Sequence, residues 1–164
     1  IGEGRRTARA DADLEWRALR DNVRIFRLPG IYGPGRSALD RVREGKAHRI
    51  DILDQIFSRA HVDDIVSAVL AAFAGPSGIY NIADDQPASQ NAVIEHACDL
   101  LGRDWPPLQT IDKAELSPMA RGFYAENRRV SNAKAKRLLG WKPSYSDYKQ
   151  GLAAISVAET ENQD

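Results

Sequence analysis

The chain has 164 residues, about one domain's worth, enough for a core that buries roughly 70% of the unfolded surface. Its 23 basic side chains, Lys plus Arg, match 23 acidic ones, and a net charge of zero argues against nucleic-acid binding, which rests on a basic surface. Cys98 has no second cysteine to pair with, no run of about 18 apolar residues predicts a membrane span, and His48, His61 and His96 lack metal-ligand spacing.

"GRRTARADADLEWRALRD" reads as a helix, with Ala10, Leu14, Ala18, Trp16 and Leu19 as its buried side. "NVRIFRL" reads as a strand packed through Val23, Ile25 and Leu28. "SALDRVREG" is a short helix opened by Ser37 and closed by Gly45. "HRIDIL" and "QIFSRAHV" are two short strands around a turn at Leu53-Asp54. In "VDDIVSAVLAAFAGPSG" the residues Val62, Ile65, Val66, Val69, Leu70 and Phe73 recur at helical spacing and predict one apolar stripe. Asp63 and Asp64 suit the positive end of that helix, and Gly75-Pro76 ends it. "GIYNIAD" is a strand, and "ASQNAVIEHACDLLGR" is a helix between Ser89 and Gly102. Pro106-Pro107 keeps "DWPPLQTID" extended. "KAELSPMARGFYAENRRV" is the least regular part. "SNAKAKRLLGW" is a helix capped by Ser131 or Asn132 and stopped by Gly140, and "YSDYKQGLAAISVAE" is the last helix. Strands alternating with helices predict an α/β fold, with too few strands for a self-sufficient doubly wound sheet.

Three places bear chemistry. "RLPGIYGPGR" leaves a strand through three glycines and two prolines. Such a loop either ends the strand stiffly or lets a ligand approach bare backbone, since open α/β sheets bind beyond the carboxyl ends of their strands. "SRAHVDDIV" sets Arg59 and His61 before two aspartates. Arg59 there is an anion clamp or half of a structural Arg–Asp pair, and His61 reads as a satisfied structural histidine. In "AENRRVSNAKAKRLLGW", Arg128 and Arg129 can face an anionic substrate, while Lys134, Lys136 and Arg137 read as a solvated helix face.

Four motifs, "RLPGIYGPGR", "FSRAHVDDIVSAVLAA", "GIYNIADDQPAS" and "RRVSNAKAKRLLGWKPSY", occur in an order that resembles the C-terminal half of NAD(P)-dependent epimerase/dehydratase proteins. These form the extended and atypical branch of the short-chain dehydrogenase/reductase superfamily, and the resemblance covers nearly the whole chain. It implies the C-terminal part of a Rossmann-type doubly wound sheet plus a small α/β substrate domain. Residues 1–36 would be the last Rossmann helix, strand and cofactor-side loop, and residues 37–164 mostly the substrate domain. It implies that Pro29, Gly30, Ile31 and Tyr32 contact the nicotinamide end of NAD or NADP. It places Arg59 near the substrate, with Arg128 and Arg129 bordering the same cleft.

The departures carry equal weight. The family's G-x-x-G-x-x-G loop is absent, and in the family alignment Glu3 and Thr7 stand where the Tyr-x-x-x-Lys pair should be. Ile1, not Met, opens the sequence, so the chain is expected to begin within a longer protein. No signal peptide is visible, and a cytoplasmic setting is expected. The resulting expectation is part of an NAD(P)-dependent epimerase, dehydratase or reductase acting on a small, sugar-like substrate, without catalysis by this chain alone. The unpaired edge of "VRIFRL" predicts self-association or pairing with an N-terminal half. The alternatives are a degenerate NADP(H)-sensing or protein-binding module and, last, an α/β interaction domain with no nucleotide.

Overall fold

The computed structural model describes residues 5–114, 116–124 and 127–161. Helix α1 (Arg5–Leu19) leads into strand β1 (Arg24–Arg27), and a two-residue link enters β2 (Gly30–Tyr32). Ser37 then opens α2 (Ala38–Arg43) with a reciprocal cap. Its hydroxyl accepts from the Leu39 and Asp40 N–H groups, and the Asp40 carboxylate accepts from the Ser37 N–H at 2.7 Å. Gly45, at φ 66°, ends the turn after α2, where a side chain would be strained.

β3 (Arg49–Ile50) and β4 (Arg59–His61) follow, and Asp54 between them takes φ 57°. Both predicted strands therefore exist, but they are not partners. β4 pairs with β2, Gly30 opposite Arg59, while β3 pairs with β6 (Leu108–Gln109). The third pair joins β1 to β5 (Gly78–Asn81), Arg24 opposite Gly78. All three pairs are parallel, which requires crossovers rather than hairpins.

Two apolar clusters hold these pairs. In one, Leu39 and Val42 of α2 meet Ile94 and Cys98 of α4 (Gln90–Leu100) and Leu152 of α7 (Tyr148–Glu161). In the other, Ala68 of α3 (Val62–Ala74) meets Tyr80, Ile82, Trp141 and Ala135 of α6 (Ala133–Leu139). Polar anchors fix the second cluster. The Trp141 indole donates to Ser67 Oγ at 2.9 Å, and the buried Asp64 carboxylate accepts from the Ser144 and Tyr145 N–H groups. Ser89 caps α4 by accepting from the Ala92 N–H, and Gly102 and Gly140 are left-handed, all as the sequence predicts.

Three elements differ from the sequence reading, and a fourth resolves an alternative it left open. α3 is a helix over the predicted span, yet its apolar stripe faces outward: Val66 is 53% exposed, Leu70 63% and Phe73 77%. The inward face is Asp64, Ala68 and Ala72, small enough for α6 to approach until Gly75 lies against Leu139. α1 likewise leaves Leu14, Trp16 and Leu19 exposed among the described residues. The irregular segment contains a helix, α5 (Pro118–Tyr124), begun by a proline whose fixed φ suits a first turn. At α6 the Ser131 hydroxyl accepts from the Ala133 N–H at 3.3 Å, one of the two predicted caps, while the Asn132 side chain makes no cap and instead donates to the Ala83 carbonyl and the Asp85 carboxylate.

Among the described residues no helix is long and apolar enough to cross a membrane, and no group of three or more His, Cys, Asp or Glu could hold a metal ion.

Candidate functional site

A cleft of about 640 Å³ opens beyond the carboxyl end of β1. That volume suits a small-molecule site. A smaller hollow of about 240 Å³ lies at the other end, by Val23 and Gly78, where parallel strands begin and ligands are not expected. The large cleft collects most of the residues singled out in sequence. Pro29, Gly30, Ile31, Tyr32, Arg59 and Arg128 all line it. Arg129 is exposed and does not line it, so the structure separates the two neighbouring arginines.

The wall from Leu28 to Tyr32 is a strip of backbone between apolar side chains. Leu28 is 39% and Ile31 37% exposed, and Gly30 between them carries no side chain. A Cβ there would meet Ser58 O at 3.7 Å and Arg59 Cγ at 3.8 Å, an ordinary contact for the fold. Such a strip presents an apolar, unobstructed face to a flat ring. Gly30 reaches this position because its N–H donates to Ser58 O at 3.3 Å, which starts the β2–β4 ladder.

Tyr32 contributes its ring rather than its hydroxyl. The hydroxyl is sealed inside, against Gly151 of α7, with no hydrogen-bond partner among the described residues. Burial, reinforced by Asp84 and Asp64, holds this phenol far above its ordinary range, so it stays protonated. Its ring meets His61 edge-on at 5.1 Å. His61 caps α3: Nδ1 accepts from the Asp63 N–H at 3.2 Å, which puts the proton of the neutral ring on Nε2. Burial lowers the His61 pKa, so its 3.5 Å approach to the Asp63 carboxylate is a contact of a neutral ring, not an ion pair.

Arg59 sits deepest. Its Nη1 donates to the Phe57 and Ala88 carbonyls, at 3.1 and 2.9 Å, and its Nη2 to Ser89 O and Gln90 Oε1. The guanidinium thus ties β4 to the entry of α4. Neither reading of the sequence describes this, because its partners are main-chain carbonyls rather than Asp63 or Asp64. Burial lowers its pKa, and Asp84, Tyr148 and Tyr32 support the charge against that trend.

The rim holds groups the sequence did not single out. Arg9, Arg36 and Arg41 join Arg59 and Arg128, giving five arginines against Asp40 and Glu44. Asp40 is already engaged as the helix cap and Glu44 with Lys46 at 2.9 Å, so the cleft favours an anionic or electron-rich ligand. Tyr148 and Leu152 reach the same cleft from α7, more than a hundred residues from the Gly-Pro loop. Their only signal in the sequence is the apolar face of α7, which reads as packing. Of the expected solvated face, Lys136 pairs with Asp85 at 2.8 Å, and Lys134 lies 5.2 Å over the Tyr80 ring.

Parallel strand pairs, crossover helices and a cleft at the strand ends define the fold of the C-terminal half of NAD(P)-dependent epimerase/dehydratase proteins. The resemblance carried by the four motifs therefore stands. The chain is 32% identical over 160 residues to a 3-diazoavenalumate denitrifying reductase from Streptomyces, covering 89% of this chain and 52% of that protein. It is 40% identical, with a TM-score of 0.89, to a conserved protein of unknown function from Silicibacter pomeroyi, covering 96% of this chain and 57% of that one. A dTDP-glucose 4,6-dehydratase from Bacillus anthracis, solved with NAD, shares the fold at a TM-score of 0.74 and 20% identity, over 99% of this chain and 53% of that one. The chain thus spans about half the length of the proteins it matches. No protein-family model matches it.

Proposed function

We propose that the chain is the C-terminal part of an NAD(P)-dependent reductase, epimerase or dehydratase, and that its cleft receives the nicotinamide end of the cofactor beside a small, sugar-like substrate. The observation that carries this reading is the bare Gly30 backbone between Leu28 and Ile31 at a strand's carboxyl end, facing an arginine-rich rim. The bound nicotinamide would supply hydride transfer. The chain's own residues would do the rest: Pro29 to Tyr32 seat the ring, Arg128 with Arg36 and Arg41 attract the substrate, and Arg59 keeps the wall in place. The relatives support the cofactor class, since the dehydratase was solved with NAD and the Streptomyces relative is a reductase.

The sequence has no G-x-x-G-x-x-G loop, and Glu3 and Thr7 stand at the position aligned with the family's Tyr-x-x-x-Lys pair, so turnover by this chain alone is not part of the proposal. A module that binds NADP(H) without chemistry is the second reading. The observation that favours it is Arg59, whose commitment to carbonyls removes the expected substrate clamp. In either reading β1, paired on one side by β5, would accept a further strand from an N-terminal half or a second copy.

Reduced nicotinamide mononucleotide tests the proposal because it needs no pyrophosphate grip. Its addition should shift the amide resonances of Gly30, Ile31 and Tyr32. Gly30→Ala should keep the folded spectrum and weaken those shifts. Shifts confined to other surfaces at millimolar ligand would reject the assignment.

A further inference from the structure

The Arg59 guanidinium can only donate, and its acceptors are fixed. They are Phe57 O, Ala88 O, Ser89 O and, 3.1 Å from Nη2, the side-chain oxygen of Gln90. Gln90 is the first residue of α4, half-buried, and lines the cleft together with Arg59 and Val93. Because a guanidinium cannot accept, this contact decides which way the Gln90 amide is turned. Oε1 lies on Arg59, and Nε2 with its two N–H groups is the remaining end. Among the described residues nothing accepts from that nitrogen. The carboxylates lining the cleft are Asp40, engaged in the α2 cap, and Glu44, paired with Lys46. An acceptor for the Gln90 N–H groups is therefore left to whatever fills the cleft.

We propose that Gln90 binds a carboxylate of the substrate through its Nε2 N–H groups, with Arg59 as the positioning residue that turns the amide toward it, a role resting on the reading of the cleft as a substrate site. Three features match that chemistry. The free end of the amide only donates, so it favours an oxygen that only accepts. The Arg59 cation sits on the amide oxygen and polarises the N–H bonds at the other end. The arginine-rich rim draws an anion rather than a neutral carbonyl, while Leu28, Ile31, Val93 and Leu152 line the same cleft for the rest of the ligand. A phosphate, with more charge and more acceptor oxygens, calls for a guanidinium, and the one at this point of the wall is already committed to carbonyls. Arg59 thus acts on the ligand through Gln90, rather than as the clamp its place in the sequence implies.

The test uses ¹⁵N-labelled protein, in which Gln90 Nε2 gives its own pair of N–H signals. Benzoate is the carboxylate probe, and inorganic phosphate is an anion without a carboxylate. Benzoate should shift the Gln90 pair, and phosphate should leave it in place. Gln90→Met removes the donors at similar length and should weaken benzoate binding about tenfold or more, the worth of a hydrogen bond to a charged group. Arg59→Lys keeps the charge but not the fork, so the Gln90 signals should move without any ligand and benzoate should bind more weakly. The wild-type signals decide the matter even where a variant folds poorly. An unmoved Gln90 pair under benzoate, an equal shift by phosphate, or full benzoate affinity in Gln90→Met would overturn the proposal. Wild-type benzoate affinity in Arg59→Lys would overturn the positioning role. Reduced nicotinamide mononucleotide is titrated separately. If it fails while benzoate moves Gln90, the carboxylate site stands and the cofactor reading falls; the reverse result removes the carboxylate site alone.

Discussion

Asp84 lies just past β5 and is 4% exposed, with Oδ1 accepting from the Arg59 N–H at 3.4 Å and Oδ2 unpaired. Burial pushes its pKa up from 3.8 to about 7, against the Arg59 N–H and charge and with Asp147 and Asp85 adding to the rise. The sign of the consequence is fixed. Below about pH 4 the carboxyl is protonated in both folded and unfolded chains and costs nothing. As pH rises toward 7 the unfolded chain ionises while the folded chain resists, so stability falls, and above pH 7 the loss is constant. The upper limit is about 4 kcal/mol. Asp84→Asn should therefore gain over wild type between pH 4 and 7 and hold that gain at pH 8, measured by urea unfolding. A difference that does not change with pH would show that Asp84 is ionised in the fold. None of this was legible in "NIADD", because the burial of Asp84 depends on β4 lying alongside.

Helix boundaries were more readable than helix faces. Ser37, Ser89, Gly45, Gly102 and Gly140 marked their termini because caps act locally. The stripe of α3 marked a helix but not its inward side, since the sequence does not state that α6 needs a close, small-residue approach. The strands "HRIDIL" and "QIFSRAHV" were found and their partners were not, because parallel pairing is set at long range. Gly151 carries a prediction at this scale. A Cβ there would overlap the Tyr32 hydroxyl and ring, although alanine suits a helix interior better than glycine by about 1 kcal/mol. Overlap with a buried ring costs about 1–3 kcal/mol, so Gly151→Ala should lower the melting temperature. Adding Tyr32→Phe, which deletes the nearest atom, should recover part of the loss in the same thermal scan. A Gly151→Ala protein as stable as wild type would mean that α7 can shift away.

Taken whole, the molecule exposes Val66, Leu70 and Phe73 on α3 and Leu14 and Trp16 on α1, and pairs β1 on one side among the described residues. An apolar face with an open strand edge favours association. Static light scattering should show species larger than one chain at high concentration. Leu70→Glu with Phe73→Ser should shift them toward monomer while leaving thermal stability within about 0.5 kcal/mol, as for exposed positions. A wild-type chain that stays monomeric would count against association through these surfaces. The cleft was partly legible at this scale: the Gly-Pro loop and Arg59, both singled out in sequence, line it, whereas Tyr148, Arg36 and Arg41 arrive through packing of α7 and α2.

The parallel pairing of all three strand pairs also bears on how the chain reaches its fold. Each pair joins segments separated by at least one helix, and none of the named strands forms a hairpin with the next. Loop closure must therefore precede any ladder, while the capped α2 and α4 need only local contacts. Folding should begin with those helices and finish with the β1–β5 and β3–β6 pairings. The cleft, bounded by β2, β4 and α7, would be among the last features to appear, and its assembly would be slow relative to that of a helical protein of this size.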